Sequence, residues 1–337
     1  MSTVIMNNKP EQKKLKHFTI NETIPLKQQG SWQESKHLLD KKSAYALEMA
    51  LATGRPLLVR GEPGIGKSQL ARAAAAKLGR LFISHVVNFN SEGQDLLWHY
   101  DPVARLNDAQ AMRTAIENEE HAVKRLHPQY YLNPGVLWWT FNWQTAAKQY
   151  ENCKHKLYQP KNNDCDASAG VVLLLDEIDK ADPALPNTLL EALGNGGFEV
   201  PLINQTVRQK KECPPPLVII TTNEERELPP AFLRRCLVLN LDIDEEELIP
   251  WLIERGEVHF PQQPSEDVKQ QAAEYLKIDR EAASRQGSVK PGQAEYLDLL
   301  RALKELTEEE PEEKCEDAQK EWLNNIKDFA LCKAPKR

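Results

Sequence analysis

The chain has 337 residues, 41% of them apolar and 28% charged, with a formal net charge of −7. That length supports an ordinary buried core and about two domains, and no apolar run approaches the roughly 20 residues that cross a bilayer. The acidic balance argues against a surface that tracks phosphate backbones, so nucleic acid is not the first partner to propose.

The first 30 residues are rich in Lys, Gln and Asn, which predicts a loose N-terminal arm over 1–30. They lack the basic start, apolar centre and small-residue cleavage site of a secretory signal. The six cysteines (Cys153, Cys165, Cys213, Cys236, Cys315, Cys332) are scattered, and Cys153, His155 and Cys165 have no fourth ligand at zinc spacing. A cytoplasmic protein with reduced thiols is expected, with no membrane partner.

From Ser43 a helical run ends at Gly54, and Pro56–Gly64 reads as a short buried strand entering a turn. An alanine-rich helix follows and closes at Gly79. Further strands are expected at Leu81–Phe89, Val171–Leu175, Leu217–Thr221 and Leu237–Leu241. Apolar strands alternating with helices imply an α/β fold with a mainly parallel sheet covered on both faces.

An insertion occupies about 90–170, and its tryptophans, including Trp138 and Trp139, are expected to pack at a domain or subunit contact rather than to stack bases. Past Asp242 the pattern turns helical. Asp244 and Glu247 have the spacing of a capping box, Gly256 can stop the helix they start, and Tyr296, Leu300 and Leu303 share one face of a later helix. The expected divisions are an α/β domain over 31–242, a helical lid over 243–307, and a charged helix or tail over 308–337.

The chemistry begins with Gly61-Glu62-Pro63-Gly64-Ile65-Gly66-Lys67-Ser68, which fits G-x-x-x-x-G-K-[ST] between an apolar strand and a helix. Glycines in such a loop aim several N–H groups into one concavity, and the helix that continues through Gln69 adds its positive end. Lys67 would reach the β- and γ-phosphates, and the Ser68 hydroxyl would serve Mg²⁺.

A second run, Val171–Leu175, delivers Asp176 and Glu177 where a sheet opens toward ligand. Asp176 would position Mg²⁺ and its waters, and Glu177 would polarise the attacking water. Leu217–Thr222 ends similarly at Asn223, which can hydrogen-bond that water or the γ-phosphate. Arg234 and Arg235 lie before the next strand, placed to serve a neighbouring subunit's phosphates.

Taken in order, GEPGIGKS, LLLDEIDKADPALPNTLLEAL, VIITTNEE and LPPAFLRRC resemble Walker A, Walker B, sensor 1 and the arginine-finger segment of the AAA+ superfamily. PGVLWW and GGFEVPLINQTVRQKKECPPP resemble features of its MoxR-like branch, the latter a hairpin insertion. The resemblance covers Trp32 to about Leu306. It implies a five-stranded sheet ordered 5-1-4-3-2, a helical lid, and hexameric rings with ATP and Mg²⁺ bound between neighbours.

By resemblance Arg235 is the finger, with Arg234 in reserve. The usual sensor 2 arginine is replaced by GSVKPGQAEYL, which leaves Lys290 or Arg285 as substitutes. The implied activity is ATP hydrolysis driving the remodelling of a protein client, for which relatives often use a von Willebrand factor A domain protein. The alternatives are a nucleotide-gated scaffold with little turnover, or a DNA-directed motor or loader.

Overall fold

The computed structural model describes residues 13–114, 124–157, 159–160 and 167–331. The chain divides into two compact units, the first drawn from 1–44, 60–73 and 240–337, the second from 45–59 and 74–239.

In chain order the first elements are β1 (Glu22–Leu26), β2 (Ser35–Leu39), α1 (Lys41–Thr53), β3 (Leu57–Arg60), α2 (Lys67–Leu78) and β4 (Leu81–Val86). The insertion contributes α3 (Gly93–Leu97), β5 (Trp98–Tyr100), α4 (Pro102–Thr114), β6 (Leu132–Pro134), α5 (Val136–Phe141) and α6 (Trp143–Asn152). Next come β7 (Val171–Asp176), α7 (Leu185–Asn195), β8 (Gly197–Val200), β9 (Gln205–Arg208), β10 (Leu217–Thr222), α8 (Pro230–Arg235) and β11 (Leu237–Asn240). Four helices end the chain: α9 (Leu248–His259), α10 (Glu266–Gln286), α11 (Gln293–Leu306) and α12 (Glu312–Ala330).

The second unit is built on a five-stranded parallel sheet in the order β11-β3-β10-β7-β4. Numbered along the sheet strands alone, this is the expected 5-1-4-3-2. Its central strands are apolar because both faces are covered: Val172 to Leu175 on β7 and Ile219 and Ile220 on β10 are fully buried. Register is direct, with Leu217 of β10 opposite Val172 and Val86 of β4 opposite Asp176.

The insertion packs on this core. Trp138 and Trp139 are 0% and 1% exposed on α5, the Trp138 indole N–H donates to Thr145 at 3.0 Å, and Trp139 meets Trp143 edge-on at 4.8 Å. They are core residues on a helix, so they pack inside the chain rather than at a subunit contact. The expected hairpin is present as the antiparallel pair β8 and β9.

In the first unit, the antiparallel pair β1 and β2 corrects the expectation of a loose arm. Phe18, Ile20, Ile24 and Leu26 are buried. The alternation of Ile20, Ile24 and Leu26 is strand-like, but it is diluted by the polar residues around it. Residues 1–12 of the arm lie outside the described residues.

The helical part of this unit buries Leu252, Leu276, Tyr296, Leu300, Leu303 and Leu323 in one core, so α12 is docked rather than free. Two local expectations change. No capping box forms at Asp244: its carboxylate accepts from the Glu246 N–H at 3.0 Å in a tight turn, and α9 starts later, at Leu248. Gly256 stays inside α9, where a side chain would come within 2.9 Å of the Tyr296 hydroxyl, so its role is close packing and not termination.

Candidate functional site

The glycine-rich loop follows β3 and opens α2. Gly61 has φ 151°, and a Cβ there would lie 2.8 Å from the Leu241 carbonyl, so both conformation and space require glycine. Gly64 and Gly66 also have positive φ, and Ile65 between them is buried. Lys67 is 7% exposed and arcs back over the loop, its ammonium donating to the carbonyls of Gly61 at 2.8 Å and Glu62 at 2.9 Å. Ser68 follows in the first turn of α2. The Gln69 side chain turns elsewhere, accepting from Arg72 at 2.8 Å.

Glu62 leads to a residue that the sequence did not single out. Arg280 of α10 is 3% exposed and forms ion pairs with Glu62 at 2.8 Å and Glu245 at 2.9 Å, while donating to the Pro291 carbonyl at 2.9 Å. Burial works against its charge, but hydrogen bonds to Glu245 and Glu62 outweigh that and hold its pKa above the ordinary arginine value. Lys290 joins the same carboxylates at 3.7 and 3.8 Å. Arg285 does not: it is 79% exposed and pairs with Glu281 along its own helix. The start of α11 also meets the loop, where the Ala294 N–H donates to the Gly64 carbonyl at 3.2 Å.

In the same unit lies a cavity of about 360 Å³, lined by His37, Asp40, Ile65, Trp251, Arg255 and Gln293 among others. Burial pushes the His37 and His259 imidazoles down to about 4, which leaves both neutral at pH 7. The Arg255 guanidinium stacks over Trp251 at 3.6 Å, and burial lowers its pKa to about 10. The Nε2 of His37 is buried with no hydrogen-bond partner among the described residues.

An acidic cluster belongs to the second unit. β7 ends at Asp176, and Glu177 turns sharply in the left-handed region at φ 62°, ψ 48°. A non-glycine residue there costs on the order of 1–3 kcal/mol and marks an over-determined site. Thr221 of β10 is fully buried: its hydroxyl donates a short hydrogen bond to the Asp176 carboxylate and accepts from the Glu177 N–H at 3.0 Å. One Glu177 oxygen pairs with Lys180 at 2.8 Å, and the other accepts from Asn223 at 3.4 Å. The hydrogen bond to Glu177 raises the Lys180 pKa.

Asp176, Glu177 and Asn223 are thus brought together, with Thr221 and Lys180 as partners the sequence did not flag. Arg234 and Arg235 end α8, both exposed. The described residues contain no group of three or more His, Cys, Asp or Glu that could hold a metal on protein ligands alone. The Ser68 hydroxyl and the Asp176 carboxylate are each hard oxygens, the donor type that suits Mg²⁺.

The sequence profile of the AAA domain, dynein-related subfamily, matches residues 56–236, more than half of the chain. The chain belongs to that family. This AAA protein is also similar in fold to solved chains of Thermotoga maritima RuvB. The RuvB Holliday junction branch migration motor is 18% identical, with 87% of this chain and 70% of that chain covered and a TM-score of 0.43. The RuvB P216G mutant gives 18% identity, 87% and 71% coverage and a TM-score of 0.43. A putative ATPase from Cytophaga hutchinsonii gives 14% identity, 86% and 79% coverage and a TM-score of 0.36. No curated protein matches the chain. No helix among the described residues is long and apolar enough to cross a membrane.

Proposed function

We propose that this AAA protein hydrolyses ATP to ADP and phosphate, as a MoxR-like ring that remodels or switches a protein client. The observation that carries the hydrolytic part is the meeting of Asp176, Glu177 and Asn223 at the ends of two neighbouring parallel strands, organised by Thr221. Strand ends in a parallel sheet emerge on one edge, where open α/β sheets bind ligands. β3, which feeds the glycine-rich loop, β10 and β7 are consecutive strands of that sheet, with β10 between the other two.

In this reading the loop N–H groups and Lys67 bind the phosphates, Lys67 exchanging the carbonyls of Gly61 and Glu62 for phosphate oxygens. Ser68 and Asp176 would hold Mg²⁺, which would supply charge neutralisation at the phosphates. Glu177 orients the attacking water and accepts its proton, which requires its carboxylate to loosen from Lys180 or Asn223. Asn223 holds that water or a γ-phosphate oxygen. Arg235, with Arg234 in reserve, reaches the phosphates of the neighbouring subunit. The cavity beside Ile65 takes the base, its volume lying in the range of small-molecule sites.

AAA+ proteins generally assemble into rings, which supports the trans arrangement; a hexamer and a von Willebrand factor A domain client follow from the MoxR-like resemblance. The net charge of −7 weighs against a DNA-directed motor.

The experiment is steady-state hydrolysis by Glu177→Gln. The expected result is a fall in kcat of about two orders of magnitude or more with nucleotide binding retained. A full rate would remove Glu177 from the chemistry.

A further inference from the structure

Arg55 follows α1, where the chain turns at Gly54 with φ 66°. Its guanidinium is half-buried and spends three hydrogen bonds on main-chain carbonyls at the end of α8. Nε donates to the Arg235 carbonyl at 3.1 Å, and Nη2 donates to those of Arg234 and Cys236, each at 2.8 Å. α8 is six residues long, and the last carbonyls of a helix have no partner within it. One planar, permanently charged group meets all three in a fixed geometry, and a cation at a helix C-terminus is favourable. Beside it the Pro56 carbonyl accepts from the Leu237 N–H at 2.9 Å, which ties the same stretch to the start of β11.

The peptide planes that Arg55 grips are those of Arg234 and Arg235 themselves, and they set the direction in which both side chains leave the helix. We propose that Arg55 is a positioning residue for the arginines that act on the neighbouring subunit, so that its own subunit's fingers are aimed for the next subunit's phosphates. The inference rests on the finger role given above to Arg235 and Arg234. Misplacing a catalytic group by about 1 Å can cost about 10²-fold in rate. Loss of Arg55 therefore lowers turnover in the neighbour's site while leaving its own subunit's site intact.

The test uses subunit mixing with the full chain. Arg55→Ala is expected to lower kcat about 10- to 100-fold with KM within about threefold. Arg55→Lys, which keeps charge and stem but cannot fork across three carbonyls, should not restore the rate. Excess Glu177→Gln subunits, which cannot hydrolyse but carry intact fingers, should then bring turnover per Arg55→Ala subunit to within about threefold of wild type. A wild-type rate for Arg55→Ala, recovery in Arg55→Lys, or a deficit that persists in mixed assemblies would overturn the proposal, since a purely structural defect stays in its own subunit.

An Arg234→Ala, Arg235→Ala double variant separates the two levels. If the double variant turns over at the wild-type rate, the finger reading fails and the positioning role with it. If it is slow and rescued by Glu177→Gln subunits while Arg55→Ala is not, the positioning role alone fails.

Discussion

Thr221 joins two strands through one hydroxyl, donating to Asp176 and accepting from the N–H of Glu177. Thr221→Val keeps the shape and the strand preference but strips both bonds, leaving the Glu177 N–H without this acceptor. A stability loss of about 1–3 kcal/mol is expected by urea denaturation, together with reduced hydrolysis. Lys67, Asp176, Glu177 and Asn223 were legible because loop spacing, or an apolar run ending in polar residues, announces each of them. Thr221 was not, since a threonine inside VIITTN reads as a β-former, and only its burial beside Asp176 gives its hydroxyl a task. Arg280 was missed because it lies in a helix full of charges and reads as solvent-facing. Its partner Glu62 lies far upstream, and no local pattern records that contact.

Among elements, the sheet strands and the helices ending at Gly54 and Gly79 were readable from composition and punctuation. β5 and β6 were not: their pairing of Trp98 with Pro134 is long-range within the insertion, and each strand has only three residues. α10 is held to the loop by Arg280, a side chain 3% exposed whose carboxylate partners, Glu62 and Glu245, are 45% and 49% exposed. Breaking a fully buried pair costs about 3–5 kcal/mol, and solvent screening at the two glutamates reduces that to about 1–2 kcal/mol for Arg280→Met. Lys290→Ala, at longer range and more exposed, should cost under about 0.5 kcal/mol. Chemical denaturation of the two variants checks the order, and a larger effect at Lys290 would give it the anchoring role.

For the whole molecule, the second unit ends at Leu239, and residues 1–44 and 60–73 group with the helical region, which the expected divisions kept apart. The contacts responsible, such as Gly64 with Ala294 and Glu62 with Arg280, are long-range, whereas sequence pattern places a loop only with its own strand and helix. Stability should also carry a pH signature. Burial, aided by Arg255 at both sites and by Lys36 and Arg301 at His259, and opposed by Asp40 at His37, holds the two imidazoles at about 4 in the folded chain. The unfolded chain takes up protons near 6.5, so stability is fully present above that pH and falls as pH drops toward about 4. Each unit of separation is worth about 1.4 kcal/mol per histidine. Urea midpoints between pH 7 and 5 should therefore fall, with a flatter slope in His37→Leu, His259→Leu; a wild-type midpoint that does not fall would contradict the assignment.

The proposed function requires Lys67, Ser68, Asp176 and Glu177 to serve a single nucleotide. The measurement that tests it most directly is the structure of the full chain bound to Mg²⁺ and a non-hydrolysable ATP analogue. Lys67 Nζ is expected within about 3 Å of a phosphate oxygen and Asp176 within about 5 Å of the metal, directly or through water. Lys67 and Asp176 tens of ångströms apart, or the analogue bound elsewhere, would contradict it.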